Sequence, residues 1–289
     1  MMTRVLSFIL LFSLLISSCK KDKEIVIGDN TAPPDGTIAN VVKENYVNKS
    51  YISVLGRKPS STELSSGMSI LAQHNLSVDD RNQLLEDILA KPGYNQRQYD
   101  IAVATLLNNL DTVDITNNIN LFAYLLTQPQ YAPYWPQLQI DKTNLELLKA
   151  TVADLNSGTI NIIGLHKRCV NNYFYDQINM GTENFVVSMF NNFLLRYPTD
   201  EELLHGKNMV DGFEDVIFLQ TGYNKDDFIN IFFAANNYFE GQVRDLYLRY
   251  LFREPTSVEM SEKAATYKAS TNYKSLQKAI LSTDEYAGL

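Results

Sequence analysis

Apolar residues recur at spacings of three and four from Ile38 almost to the C-terminus, and long runs of strict alternation are missing. This spacing places apolar side chains on one face of an α-helix, whereas alternation favours strands. The pattern therefore predicts an all-α protein built as a multi-helical array. The weakest part of the pattern is the apolar cluster at residues 215–220, which is consistent with a short strand or with an irregular loop.

Three segments share one pattern around an arginine: Arg57, Arg196 and Arg253. An aromatic residue lies six positions before each arginine and a leucine two before it. Proline follows two positions after, Ser or Thr three after, and glutamate six after. A downstream tyrosine ends each segment, namely Tyr94, Tyr238 and Tyr286. Because so many positions are shared, the three segments form a repeat.

The repeat has a direct physical interpretation as a helix, a tight corner and a second helix. Proline ends the first helix, since the residue before proline avoids helical dihedral angles. The hydroxyl residue then caps the next helix, and the glutamate three positions later completes a capping box. The arginine and the glutamate are placed to pair across the corner, as Arg57 with Glu63, Arg196 with Glu202 and Arg253 with Glu259. The functional alternative is three copies of an Arg/Glu ligand-binding site.

The repeats divide the body of the protein into units that are unevenly spaced. The units lie at about residues 38–94, 183–238 and 239–289, and an inserted helical segment occupies about residues 95–182. Within the insert the periodicity predicts helices at residues 99–110, 115–127, 144–155 and 160–178, with a loop up to Asp141. Thr182 is the predicted N-cap of the helix that opens the second unit.

The N-terminus has the organisation of a secretory signal. Arg4 precedes an apolar run that is too short to cross a bilayer, and small residues then lead to Cys19. This arrangement resembles the lipobox of bacterial lipoproteins, in which the signal (here residues 1–18) is removed and the cysteine is acylated. Several acyl chains hold a protein firmly on a membrane. Residues 19–37 are polar and proline-bearing, which predicts a lipidated tether, and their charged run is either an export tag or a solvated spacer.

Composition excludes several classes of protein. Signal removal takes away one of the 25 basic residues and none of the 33 acidic ones, so the mature chain is strongly acidic and nucleic acid is not an expected partner. Cys169 is then the one cysteine besides Cys19, and the body cannot form an internal disulfide. His166 and Cys169 lie one helical turn apart, but no second pair completes a zinc site. No catalytic motif, metal site or cofactor motif is predicted.

The proline-rich stretch at residues 128–137 is the best candidate for a ligand-binding surface. Its aromatic residues Tyr131, Tyr134 and Trp135 alternate with amide side chains. Aromatic faces beside hydrogen-bonding groups suit sugar rings or the contact surface of a partner protein. The alternative is a loop in which Tyr131 and Trp135 fill a gap between helices.

The repeat unit resembles a helical module of secreted bacterial proteins of unknown function, some of which also carry cytochrome c-like domains. The resemblance rests on the corner Leu55-Gly56-Arg57-Lys58-Pro59-Ser60 and on the unit end Asp284-Glu285-Tyr286. It implies a helical fold and transfers no catalytic residue. Cys-x-x-Cys-His is absent from the sequence, which excludes covalent haem attachment.

Three hypotheses about function follow. The first is a non-catalytic lipoprotein, anchored in the outer membrane through Cys19 and acting as an interaction or assembly module for another envelope protein. The second is a surface lipoprotein that binds carbohydrate or another polymer through the Tyr131–Trp135 stretch. The third is a carboxylate-dependent hydrolase, which needs two acidic residues in a deep pocket with raised pKa values. Exposure on the cell surface and exposure to the periplasm both stay open.

Overall fold

The computed structural model describes residues 36–289, so the predicted signal peptide, Cys19 and nearly all of the predicted tether lie outside the described residues. Within this part of the chain there are fifteen α-helices, one 3₁₀ helix and one short two-stranded hairpin. The predicted all-α fold is therefore confirmed.

The helices follow the order of the repeats. The first unit contains α1 (Asn40–Leu55), α2 (Ser61–Leu71) and α3 (Val78–Leu89). The inserted segment contains α4 (Gly93–Leu106), α5 (Thr112–Leu125), a 3₁₀ helix (Pro129–Tyr134), α6 (Trp135–Ser157), α7 (Ile162–Val170) and α8 (Tyr173–Ile178). The second unit contains α9 (Thr182–Leu194), α10 (Asp200–Val210), strands β1 (Asp215–Ile217) and β2 (Gln220–Gly222), and α11 (Lys225–Ala234). The third unit contains α12 (Asn236–Leu251), α13 (Ser257–Ser270), α14 (Tyr273–Leu281) and α15 (Asp284–Ala287).

The corner of each unit carries the predicted capping box. The hydroxyl of Ser60, Thr199 or Thr256 accepts a hydrogen bond from the backbone amide of the glutamate three residues later. That glutamate in turn accepts a bond from the amide of the capping residue. At the start of each of the helices α2, α10 and α13, two amides that have no helical acceptor are hydrogen-bonded in this way.

Several predicted boundaries in the insert are wrong. The predicted loop before Asp141 is a 3₁₀ helix followed by α6, which begins at Trp135. The predicted helix at residues 160–178 is divided into α7 and α8, because the side chain of Asn172 accepts bonds from two amides and starts a new helix. Thr182 is the first helical residue of α9 and not its cap, which is Gly181 at a φ of 89°.

One hydrophobic core runs through all three units and the insert. Its densest part joins α9, α11 and α12, where aromatic rings meet edge to edge or edge to face. The ring of Phe193 lies 4.9 Å from that of Phe233 and 6.2 Å from that of Phe232, measured between centroids. A valine ten residues before each repeat arginine is fully buried in every unit, namely Val47, Val186 and Val243.

Helix α12 approaches α9 so closely that only glycine fits between their backbones. A Cβ atom at Gly241 would lie 1.8 Å from the carbonyl oxygen of Phe193. A side chain of any size would force the two helices apart, because backbone atoms cannot move aside as the end of a flexible side chain can.

The first unit packs against the last. The hydroxyl of Tyr46 on α1 donates to the carbonyl oxygen of Leu281 at 3.0 Å. Arg81 on α3 is 2% exposed, and its guanidinium donates to the carboxylate of Asp284 at 2.5 Å. The two ends of the described chain thus close the same part of the core.

The apolar cluster at residues 215–220 forms a hairpin in which Ile217 pairs with Gln220. The two turn residues, Phe218 and Leu219, have φ angles of 50° and 63°. Hairpin turns of this shape usually contain glycine or asparagine, so two large apolar residues are an unusual choice. Phe218 packs its ring 5.9 Å from that of Phe190, whereas Leu219 is 97% exposed.

Candidate binding surface

Four aromatic side chains are displayed where α5 is connected to α6. We call them the aromatic tip: Tyr124 at the end of α5, Tyr131 and Tyr134 in the 3₁₀ helix, and Trp135 at the start of α6. Their exposed fractions are 60%, 39%, 64% and 36%, respectively. All four side chains are partly open to solvent, and Trp135, the least exposed of them, is compatible with a partial role in filling the space between α5 and α6. The three aromatic residues singled out from the sequence lie in this one connection, and Tyr124 was missed because it lies inside the preceding helix.

Proline shapes this connection. Pro129 opens the 3₁₀ helix, and Pro136 is the second residue of α6, a position whose amide has no helical acceptor. Pro129 and Pro136 therefore start helices here, where the sequence analysis predicts a loop. The indole Nε1 of Trp135 donates to the carbonyl oxygen of Leu125 at 3.2 Å, at the end of α5, and the same oxygen also accepts from the backbone amide of Gln128. This bond fixes the orientation of the indole and leaves part of the ring in contact with solvent.

The surroundings of the aromatic tip carry no charge in the sequence. From Ile115 to Ile140 there is no Asp, Glu, Lys or Arg, although such residues make up 20% of the chain. The polar side chains of the stretch are mainly amides: Asn117, Asn118, Asn120, Gln128, Gln130, Gln137 and Gln139. A surface of aromatic rings and amides offers stacking faces, donors and acceptors without attracting ions of either sign.

Further apolar side chains are exposed on the same two helices. Val113 and Leu121 on α5 are 61% and 48% exposed, and Ile140 on α6 is 53% exposed. Contiguous apolar exposure is typical of a binding surface, whereas single exposed apolar residues are common on any protein. The helical hairpin formed by α5 and α6 thus exposes apolar groups beyond the aromatic tip.

The arginine and glutamate of each corner bind mainly each other. The guanidinium of Arg57 donates to both carboxylate oxygens of Glu63 at 2.8 and 2.9 Å, and Arg196 binds Glu202 in the same way. Arg253 binds both Glu259 and Glu285. Because the same glutamates also complete the capping boxes, the corners are accounted for by structure.

These contacts shift the acidity of the corner carboxylates. The Arg57 guanidinium holds the pKa of Glu63 well below its usual range. The Arg253 guanidinium lowers the pKa of Glu259 to about 2. Partial burial raises the pKa of Glu202, but Arg196 and the amide of Thr199 outweigh it and the pKa is lowered.

The predicted half of a metal site is not completed in the folded chain. Burial raises the pKa of the Cys169 thiol to about 12, so the thiolate that a metal would need is disfavoured. The Nδ1 atom of His166 lies 2.8 Å from the hydroxyl oxygen of Tyr238, and burial lowers the pKa of His166 to about 3. Among residues 36–289 no group of three or more His, Cys, Asp or Glu side chains is placed to hold a metal ion.

The hydrolase hypothesis gains one of the features it needs. Asp141 on α6 has a raised pKa, because it is partly buried and faces the negative charge of Asp176. Asp176 is itself bound by the ammonium of Lys225 at 2.5 Å. The nearest cavity, of about 320 Å³, begins one turn further along α6 at Asn144. The two carboxylates do not line that cavity, so the structure does not bring them together with a deep pocket there.

Comparison of the chain with family models, curated proteins and solved structures found no significant match. Between residues 36 and 289 no helix combines the length and the apolarity that crossing a bilayer requires.

Proposed function

We propose that this protein is a non-catalytic, lipid-anchored binding module of the bacterial cell envelope and that the aromatic tip is its binding surface. The observation that carries the proposal is the display of Tyr124, Tyr131, Tyr134 and Trp135 to solvent within a stretch that has no charged residue. Exposed aromatic residues contribute little to the core, so their clustering is best explained by contact with something outside the chain.

The rest of the body then acts as a rigid support. The resemblance of the repeat to the secreted helical module agrees with this role, because that module has no known catalytic residues. The corners hold neighbouring helices by capping boxes and ion pairs, and the core joins the insert to all three units. Anchoring by acylated Cys19 in the outer membrane would place this support at a membrane surface.

A neutral carbohydrate polymer is the second candidate for the ligand, beside another envelope protein. Sugar rings present apolar C–H faces and many hydroxyl groups, and the aromatic tip offers ring faces next to amides. The lack of charge between Ile115 and Ile140 favours a neutral glycan over an acidic one. The apolar extension along α5 and α6, with Leu121 and Ile140, favours a protein partner.

Ligand binding at the aromatic tip can be followed by tryptophan fluorescence, because Trp135 is the single tryptophan of the chain and belongs to the tip. Detergent-solubilised full-length protein is titrated with the neutral glucans dextran and laminarin and with acidic alginate, and tryptophan fluorescence is recorded. We expect a saturable change with a neutral glucan only, and about tenfold weaker binding for Tyr134→Ala, the loss of about 1.4 kcal/mol of contact. Tyr197→Ala is the matched control, because Tyr197 is 73% exposed on the corner of the second unit.

A protein partner is tested with the same pair of positions. A photo-crosslinking amino acid is placed at Tyr134 or at Tyr197 in intact cells, and adducts are compared. A specific adduct from Tyr134 alone supports a protein-binding surface. Equal labelling from both positions, together with no glucan response, would contradict the aromatic tip as a binding site.

The anchor is tested separately. Mass spectrometry of the N-terminus is expected to find acyl chains on Cys19, and a Cys19→Ala variant is expected to lose membrane attachment. Protease treatment of intact cells then distinguishes the two locations, since a surface protein is degraded and a periplasmic one is protected. An unmodified Cys19 would overturn the lipoprotein part of the proposal and leave the binding surface untouched.

A further inference from the structure

Three mostly buried polar side chains line one place in the core, and one of them has a fully covered amide nitrogen without a partner. Gln98 on α4, Gln242 on α12 and Tyr273 on α14 are 5%, 5% and 6% exposed. None of these side chains forms a hydrogen bond with the described part of the chain, and the Nε2 atom of Gln98 is completely covered. Buried polar groups are nearly always paired, because an unpaired one costs the full loss of its hydration. The covered amide nitrogen of Gln98, beside two more polar side chains that make no hydrogen bond within the described chain, therefore indicates a partner that is not part of the chain.

All three line one small cleft, of about 60 Å³, which we call the central cleft. It lies where the insert meets the repeats: α4 and α7 form one side, and α9, α12 and α14 form the other. None of these helices belongs to the hairpin that carries the aromatic tip. The central cleft and the aromatic tip are therefore separate, and neither depends on the other.

The charge in the central cleft is balanced. The guanidinium of Arg249 donates to the carboxylate of Asp245 at 2.6 Å, so the two charged residues of the lining neutralise each other. His166, which also lines the cleft, is paired with the hydroxyl of Tyr238 through one ring nitrogen. A charged ligand would have no free opposite charge to pair with in the central cleft, so a neutral ligand is favoured.

The unpaired groups also define the hydrogen-bonding character of the ligand. Each glutamine amide offers two N–H donors and one carbonyl acceptor. The phenol hydroxyl of Tyr273 can donate or accept a hydrogen bond. A complementary group must therefore donate and accept at the same time. Ile101, Ala102 and Leu165 supply apolar walls beside these groups. The volume suits about two water molecules, or a group of about four non-hydrogen atoms.

We infer that the central cleft binds the small, neutral end of a ligand that carries a primary amide or a hydroxyl group, with Gln98, Gln242 and Tyr273 as its hydrogen-bonding residues. A ligand there touches the insert and the second and third units at once. It would thereby hold these three parts of the body together.

The test uses small probes and the histidine ring as the reporter. Full-length protein with ¹⁵N-labelled histidine is titrated in detergent micelles with acetamide, ethylene glycol and sodium acetate, and the His166 ring resonances are followed by NMR. A saturable shift with acetamide identifies the amide as the recognised group, and one with ethylene glycol identifies the hydroxyl. Acetate has the shape of acetamide but carries a charge, and we expect it to cause no saturable shift.

Two variants assign the shift to the central cleft. Gln98→Leu removes the unpaired amide at nearly constant volume, and we expect at least tenfold weaker binding of the neutral probe. Gln96→Leu is the matched control, because Gln96 lies on the same helix and is exposed. Tyr273→Phe removes only an oxygen that has no partner in the described chain, so it is expected to fold normally and to weaken binding as well.

The inference is overturned by any of three results. The first is that acetate shifts His166 as strongly as acetamide does. The second is that neither neutral probe causes a saturable shift. The third is that Gln98→Leu and Tyr273→Phe bind the neutral probe as Gln96→Leu does. The last two results would mean that the central cleft holds water only.

Discussion

The repeat corners and the aromatic tip use the same kinds of residue in opposite ways. The aromatic residues before the corners (Tyr51, Phe190 and Tyr247) are at most 3% exposed, whereas those of the tip are at least 36% exposed. At the corners every arginine is paired with glutamate, whereas the stretch Ile115 to Ile140, which carries the tip, has no charged residue. The corner residues stabilise the fold, whereas the residues of the tip are exposed on its surface. The proposed binding role of the aromatic tip rests on this difference.

The largest expected effect on stability comes from removing one ring from the aromatic core. Phe190 is fully buried, and its ring lies 5.4 Å from that of Phe232. Replacing it by alanine leaves a cavity, so Phe190→Ala is expected to lower the free energy of unfolding by about 4 kcal/mol. Tyr134→Ala at the aromatic tip is expected to change it by less than about 0.5 kcal/mol. Urea unfolding followed by circular dichroism measures both, and similar losses would erase the distinction between core and tip.

A smaller but still large effect is expected where two backbones touch. Gly241→Ala places a methyl group against the carbonyl oxygen of Phe193, and we expect it to cost about 3 kcal/mol. Gly93→Ala is the control, because nothing lies within 4 Å of the position its Cβ would take. If thermal unfolding shows the same midpoint for both variants, the close approach of α12 to α9 is not present in solution.

The smallest effect concerns the corners and depends on pH. The pKa values of Glu63, Glu202 and Glu259 are lowered in the folded chain, to about 2 for Glu259. Their stabilising contribution is therefore present above the unfolded pKa of about 4.3 and is lost as the pH falls from about 5 towards 2.

The matching variant replaces all three glutamates by glutamine. Glutamine can keep the capping box but loses the ion pair, so we expect a loss of about 0.5–1 kcal/mol per corner at pH 7. Urea unfolding at a series of pH values should give a flatter profile between pH 5 and 2 for the triple variant. A profile as steep as that of the unmodified protein would assign the acid sensitivity to other carboxylates.

The corners were predictable because all their determinants lie within seven residues of the arginine. Proline, the capping hydroxyl and the glutamate each act locally, so sequence alone placed Ser60 with Glu63 and its two counterparts. The aromatic tip was half predictable. Three of its four residues were identified, but their exposure depends on how α5 packs on α6, and the predicted loop is a 3₁₀ helix followed by α6.

Long-range features left no local signal. The central cleft brings together Gln98, Gln242 and Tyr273, which are far apart in the chain and meet only through packing. The fully buried valine ten residues before each arginine is part of the repeat, yet valine is so common in helices that it did not stand out. The turn residues Phe218 and Leu219 could not be foreseen either, because their left-handed dihedral angles run against their preference.

The closure of the first unit by the last has a consequence for the order of folding. Tyr46 and Arg81 are synthesised long before the groups that cover them, since their partners Leu281 and Asp284 lie 235 and 203 residues further along the chain. The first unit therefore cannot complete its core until the third unit has been made. A chain truncated before Leu281 would leave its first helices, not only its last, open to proteases.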